Sequence, residues 1–337
     1  MPETRDRECP ATVATPGSAT GVGRCFGTFG ELIQGALPSD ASPGDALPGD
    51  ALPGDTVVGG GESGEAFMVT LPVSRWSVAV FRPGHGEVLR VHPPGKSKSR
   101  TLAVRLLARR GLPRGGALTL RSALPVGSGM ASSSADMVAA ARAIGDAYGF
   151  TPQAAELEDL MRSIEPTDGV MYDGCVAFDH RAVRLRARLG PPPALTIVGL
   201  DEGGAVDTIQ VNRAPTTYSA QERGEYAALL TAARTALRDG DAETLGCLAS
   251  RSAVMNERLR PKRMLDAALA ISRRTGALGV AAAHSGTKLG VLLADTDPDY
   301  QLKLGRVLEA CHAICGQISV DYTLARGSAQ PIAAPRL

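Results

Sequence analysis

Four serines and two glycines crowd into LPVGSGMASSSAD (124–136), and apolar residues at helical spacing follow directly. A strand, a small-residue loop and a helix in that order set backbone N–H groups and the positive end of a helix dipole against an anion. Gly127 and Gly129 allow close approach and positive φ. Ser132, Ser133 and Ser134 offer hydroxyls to phosphate oxygens or to a magnesium ion. A capping box, with Ser133 as N-cap and Asp136 three residues on, is the competing reading, although capping alone does not require the glycines. A second stretch, SIEPTDGVMYDG (163–174), holds Asp168 between Pro166 and Gly169 on a tight turn. A carboxylate fixed there can accept a proton from an alcohol as a bond forms, or simply close the turn, as Asp often does. Magnesium takes hard oxygen ligands, few of them from protein. One of these serines with one glutamate would suffice, either Glu158 on the preceding helix or Glu165 on the turn. Glu31 and Gln34 could hold an ammonium or hydroxyl group, with a Glu31–arginine pair as the structural alternative.

These residues need a scaffold, and the pattern supplies one. Residues 115–124 read as a strand that ends at the loop. A helix over 131–149 carries Met137, Ala141, Ile144 and Tyr148 on one stripe. A second helix is expected from Pro152 to Ile164, then a strand at 175–180. Upstream, GVGRCFGTFGELIQG (21–35) reads as a strand broken by glycines, and 67–81 as one or two strands. RARLGPPPA (186–194) is the best domain boundary. Beyond it come a strand at LTIVGL, helices near 219–238, 241–256 and 262–275, strands at 278–283 and 289–294, a helix at 298–315 and a last strand near 317–325. This mixture predicts an α+β fold. Residues 1–20 read as a flexible tail, 21–188 as the nucleotide-binding half with a low-complexity insertion at 38–63, and 189–337 as the second domain. The insertion contains three copies of a Pro/Gly/Asp pentamer at 41–55, a composition that cannot bury a core.

Composition narrows the function classes. The 337 residues carry a net charge of +1 and only 4% aromatics, which argues against a nucleic-acid surface or base-stacking platform. Six scattered cysteines form no CxxC and no zinc spacing. His85, His92, His180 and His312 show no triad or metal spacing. No run approaches the roughly 20 apolar residues of a membrane span, and Met1–Pro10 is charged rather than signal-like. The expectation is a reduced, cytoplasmic protein without nucleic-acid or membrane partners, with a homodimer left open.

PVGSGMASSSA, Pro125 to Ala135, resembles the phosphate loop of the GHMP small-molecule kinases, with Met130, Ala131 and Ser134 standing where that motif has Leu, Gly and Ala. It is not a Walker A loop. GTFGELIQG (27–35) and AAHSGTKLGVLL (282–293) are similar to the family's first and third motifs. GELIQG, IEPTDGVMYDG and AHSGT together look most like one branch, the L-threonine kinases of cobalamin synthesis. The resemblance covers residues 21–326 apart from the repeat. It implies a two-domain fold, an N-terminal βαβ-containing domain and a ferredoxin-like C-terminal α/β sandwich. It also implies ATP and Mg2+ as cofactors, and transfer of phosphate to the hydroxyl of a small amino acid, L-threonine giving O-phospho-L-threonine. Homoserine or another hydroxy-amino acid, and a non-catalytic binding protein on the same scaffold, are the alternatives. By position, Pro125, Gly127, Ser128, Gly129, Met130, Ala131, Ser132, Ser133 and Ser134 would contact the nucleotide, Ser133 and Glu158 the metal, and Asp168 would be the base. Gly30, Glu31, Gln34, Thr167, Ser285, Gly286 and Thr287 would border the acceptor. The basic residue common in the first motif is missing: Cys25, Phe26 and Thr28 stand nearby. Lys288 and Arg24 are left as candidate cations for the transferring phosphate.

Overall fold

A computed structural model describes residues 19–38, 66–203, 217–284 and 286–325. The tail at 1–18, most of the 38–63 insertion and Ser285 lie outside the described residues. Ten strands form one sheet: β1 (Gly21–Ala36), β2 (Ala66–Pro83), β3 (Leu89–His92), β4 (Gly116–Ser122), β5 (Cys175–Asp179), β6 (Arg184–Gly190), β7 (Leu195–Asp201), β8 (Gly279–Ala282), β9 (Lys288–Ala294) and β10 (Ile318–Tyr322). The order is β10-β7-β9-β8-β1-β2-β4-β3, and the β5–β6 pair branches from β2. Every ladder is antiparallel except β3–β4. That parallel pair is a βαβ unit closed by α1 (Ser97–Arg109). The remaining helices are α2 (Ser132–Tyr148), α3 (Ala154–Arg162), α4 (Ala220–Asp239), α5 (Ala242–Asn256), α6 (Leu265–Thr275) and α7 (Tyr300–Ile314). The fold is α+β.

Two expectations change. The glycines of β1 do not break it; the strand runs 16 residues, with register shifts near Phe26, Thr28 and Glu31. A Cβ on Gly21 or Gly23 would come within 2.1 Å of the backbone oxygens of Ala143 and Ala139. Those glycines let α2 lie directly on the strand. α1 and β3 were not anticipated. α1 buries Leu102, Ala103, Leu106 and Leu107, an i, i+4 stripe hidden in a strongly basic segment.

The main core runs across the proline-rich 191–193 segment: Ile197, Tyr226, Leu245 and Leu292 share one apolar cluster with Phe29 and Phe67. A second cluster lies under α6 and α7, where Val280, Val291, Ile271, Val307 and Cys311 meet. Cys311 and Cys315 both pack there as small apolar groups. No helix among the described residues is long and apolar enough to cross a membrane.

Candidate active site

The loop between β4 and α2 is held from two sides. Thr28 N–H donates to the Met130 carbonyl at 3.3 Å, and Gly30 N–H to the Gly129 carbonyl at 3.2 Å. From the other side the 283–287 turn presses on it: a Cβ on Gly286 would meet the Ser128 backbone at 2.2 Å, and one on Gly129 would meet Ala283 Cβ at 2.5 Å. All three motifs therefore converge on one place. Gly127, Gly129 and Ala131 take positive φ of 77°, 82° and 56°. Ala131 thus keeps a left-handed conformation that suits glycine, and it occupies the N-cap of α2 with no side-chain cap. The Ser133–Asp136 capping box does not form, because Asp136 is held by Ser77 Oγ at 2.5 Å and Lys96 Nζ at 2.5 Å. The first-turn N–H groups of α2 lack intrahelical acceptors by geometry, which suits an anion.

The serines divide their work. Ser128 Oγ donates to the Pro125 carbonyl at 3.0 Å and Ser132 Oγ to the Leu124 carbonyl at 3.2 Å, so both stabilise the loop itself. Ser133 Oγ donates to Glu165 Oε1. Ser134 Oγ accepts from Thr167 Oγ1 and, at 3.3 Å, from the Asp168 N–H, and it lies 3.5 Å from Asp168 Oδ2. The 165–168 turn is anchored by Glu165 N–H on the Met161 carbonyl and Thr167 N–H on the His180 carbonyl. Burial pushes the Asp168 carboxyl up to about 6, with the charge of Glu165 adding to the effect and the Ser134 contact opposing it.

Glu158 is placed elsewhere in its interactions. Its Oε1 accepts from Tyr172 OH at 2.8 Å and from Leu185 N–H at 2.7 Å, which pins α3 to β6. The carboxylate joined to Ser133 is Glu165. The sequence favoured Glu158 on spacing; the turn after α3 instead swings Glu165 back onto the start of α2. Lys98, from the first turn of α1, donates to the other oxygen, Glu165 Oε2.

On the acceptor side, Glu31 Oε2 accepts from His284 N–H at 2.5 Å. Gln34 Nε2 donates to the Ala282 carbonyl, and Gln34 Oε1 lies 2.7 Å from His284 Nδ1. Burial drives the Glu31 carboxyl well above its ordinary range, and the charge of Asp168 adds to this; the His284 N–H, Lys262 and Arg260 oppose it. That coupling puts Glu31 and Asp168 within electrostatic reach of one another. The cations whose charge acts on Glu31 are Lys262 and Arg260, from the α5–α6 connection. The Thr287 hydroxyl donates to Asp201 Oδ1 at 2.5 Å, at the end of β7. Gly286 contributes backbone, with its carbonyl accepting from Lys262 Nζ.

Lys288 lies 3.4 Å from Ser319 Oγ and over the Phe29 ring, and Arg24 sits in β1 opposite Val78. Sequence reasoning also missed a buried histidine pair. The rings of His180 and His284 meet edge to face at 4.6 Å. Among the described residues, both nitrogens of His180 and the Nε2 of His284 lack hydrogen-bond partners. Burial holds His180 neutral down to about 3. No spacing signal links two histidines a hundred residues apart; only the fold joins them.

Residues 98–177 match the model for the GHMP kinases N terminal domain. An L-threonine kinase of Salmonella typhimurium is 29% identical over 197 residues, 56% of this chain and 64% of that protein, so the match spans somewhat under two thirds of that relative. A 4-diphosphocytidyl-2-C-methyl-D-erythritol kinase of Pelotomaculum thermopropionicum is 30% identical over 221 residues, 62% of this chain and 72% of that protein. The crystal structure of a homoserine kinase from Cytophaga hutchinsonii superposes with a TM-score of 0.61 at 16% identity, covering 94% of this chain and 96% of that one. With the GHMP kinases N terminal domain matched over residues 98–177 and a 30% identical kinase relative covered over 72% of its length, the chain belongs to the GHMP kinases.

Proposed function

We propose that this protein transfers the terminal phosphoryl group of ATP to the hydroxyl of a small amino acid, L-threonine, giving O-phospho-L-threonine. Residues 21–188 form the nucleotide-binding half in this reading, and 189–337 complete the acceptor side. The observation that carries it is Asp168, a half-buried carboxyl held up at about 6, tied through Ser134 to the helix turn that follows the phosphate loop. The acceptor oxygen bonds to the terminal phosphorus, the bond to the bridging oxygen breaks, and the hydroxyl proton passes to Asp168. The loop backbone from Gly127 to Ser134 cradles the phosphates, and Glu31 with Gln34 orients the acceptor. Ser133 and Glu165 supply the hard oxygen donors that Mg2+ takes; when bound it would neutralise charge on the nucleotide phosphates. The L-threonine kinase relative supports the amino-acid acceptor, and the resemblance of GELIQG, IEPTDGVMYDG and AHSGT to that branch supports a place in cobalamin synthesis.

A second reading, a phosphorylated or nucleotide-linked polyol as acceptor, is favoured by the erythritol kinase relative. A coupled assay of ATP consumption with Mg2+ separates them. We expect kcat/KM to be highest for L-threonine among L-threonine, L-serine, L-homoserine and 4-diphosphocytidyl-2-C-methyl-D-erythritol. Turnover of the last compound alone would establish the second reading. Turnover of none would leave a binding protein on a kinase scaffold.

A further inference from the structure

Phosphoryl transfer places several negative charges against the loop, and an enzyme meets them with positioned cations. Among the described lysines near the motifs, Lys96 is committed to buried Asp136, Lys262 to the Gly286 carbonyl, and Lys288 to Ser319 and the Phe29 ring. Lys98 is different. Its ammonium reaches the same carboxylate that holds Ser133, so one oxygen of Glu165 takes a hydroxyl from the phosphate helix and the other takes a lysine from α1.

The placement of Lys98 runs against local helix energetics. Lys96 and Lys98 sit at the N-cap and in the first turn of α1, where the helix dipole is positive and carboxylates are preferred; no acidic residue stands there. Cations at that end cost helix stability unless a partner outside the helix compensates. For Lys96 the partner is Asp136, almost wholly buried, and the pair is structural. For Lys98 the partner is Glu165, a buried carboxylate, while Lys98 itself is 36% exposed and reaches in from solvent on a flexible stem.

We propose that Lys98 is a catalytic residue that serves as resident cation for Glu165 in the nucleotide-free enzyme and moves onto the terminal phosphate of ATP when a divalent cation takes its place at Glu165. The inference rests on the proposed kinase function. Its logic is charge conservation: Glu165 is too buried to stand unpaired, so some cation must occupy it before the metal arrives. The ammonium released by that exchange is already within a side chain's reach of the loop.

Two measurements test it, with Lys98→Met and Lys98→Arg. The first needs no nucleotide. Thermal denaturation is followed in EDTA and in millimolar MgCl2. Wild type and Lys98→Arg should melt alike in both. Lys98→Met should melt lower in EDTA, where Glu165 stands unpaired, and recover part of the loss in MgCl2. Equal responses of wild type and Lys98→Met to Mg2+ would overturn the exchange. The second is calorimetric titration with ATP and with AMP in the presence of Mg2+. Lys98→Met should weaken ATP binding by about tenfold or more, about 1.4 kcal/mol, and leave AMP binding unchanged; Lys98→Arg should restore most of the ATP affinity. Unchanged ATP affinity, or an equal loss for AMP, would reduce Lys98 to a surface ion pair. Failure of the wild type to bind ATP at all would instead sink the kinase reading, and the EDTA–MgCl2 comparison still decides the exchange.

Discussion

Asp168, Glu165 and Glu158 are three carboxylates within eleven residues of sequence whose surroundings give them different work. Asp168→Asn keeps shape and removes the basic oxygen. Turnover should fall by roughly 10²–10⁴-fold, the contribution of one well-placed base, with ATP affinity nearly unchanged. Because the carboxyl titrates at about 6, wild-type kcat/KM should be level above that pH and fall below it as the base is protonated. A modest loss in Asp168→Asn, with the acidic limb kept, would assign the catalysis to positioning and charge alone. Glu165→Gln should impair Mg2+-dependent activity. Glu158→Gln should lower the melting temperature with little effect on turnover, since Glu158 ties Tyr172 to the Leu185 amide. The histidine pair allows a sharper stability test. Both ring nitrogens of His180 are buried without partners, so His180→Phe should raise stability by about 1 kcal/mol, the lower end of the cost of an unsatisfied polar group. His180 is held neutral to about 3 against an ordinary value of 6.5. The unfolded chain therefore takes up the proton first as pH falls through that window, which penalises the native wild type. The advantage of His180→Phe should widen from pH 6.5 downward; an advantage independent of pH would show that the ring is not held neutral.

At the scale of the element, the phosphate loop owes its shape to three consecutive left-handed positions spaced by two, of which only Gly127 and Gly129 are glycine. Ala131→Gly should be stabilising by about 1 kcal/mol, the approximate penalty of an L side chain in that region, less the extra flexibility glycine gives the unfolded chain. Chemical denaturation of the pair decides this. Gly129→Val, read from the sequence alone, would fill the nucleotide space and spare the fold. The structure redirects the side chain: it meets Ala283 and Gly286, so the substitution should pry the loop from the turn before β9 and lower both melting temperature and ATP affinity. Gly127 is the position where a Cβ meets open space.

For the molecule as a whole, β1 meets β8 with Glu31 opposite Ala282, a seam backed by the Val73–Thr323 bridge and by the core that Phe29 and Phe67 share with Ile197, Tyr226 and Leu292. That seam is further held by Asn256 at the end of α5, whose Nδ2 lies within donor reach of the Gln34 carbonyl, Tyr226 OH and the Ser252 carbonyl. Ser252 Oγ accepts from Gln34 N–H at 3.0 Å. The network holds Gln34 and, next along the strand, Glu31 at the acceptor side. Asn256→Ala should cost about 2 kcal/mol, within the range for stranding a buried acceptor, seen as a melting-temperature drop of several degrees. It should also raise KM for the acceptor more than for ATP, because the seam carries Glu31 and Gln34 and not the phosphate loop. Equal changes in both constants would mean the network supports the fold without tuning the acceptor side.

Local chemistry was legible in the sequence wherever it depended on neighbours along the chain. The glycine-serine loop, the α2 stripe from Met137 to Tyr148 and the Asp168 turn each needed only spacing within a dozen residues. α1 escaped notice because its apolar positions lie among six basic residues, and charge masked a periodicity that burial later enforced. Spacing favoured Glu158 over Glu165, and only the fold joins Glu165 to Ser133 while Glu158 ties Tyr172 to the Leu185 amide. The pairing of His180 with His284, the clasp of Gly286 on Ser128 and the approach of Lys98 to Glu165 all join distant segments. Such contacts arise when packing of the sheet and helices excludes other arrangements. The sequence determined which groups could do chemistry; tertiary structure decided which of them face one another, because burial and register act across the chain.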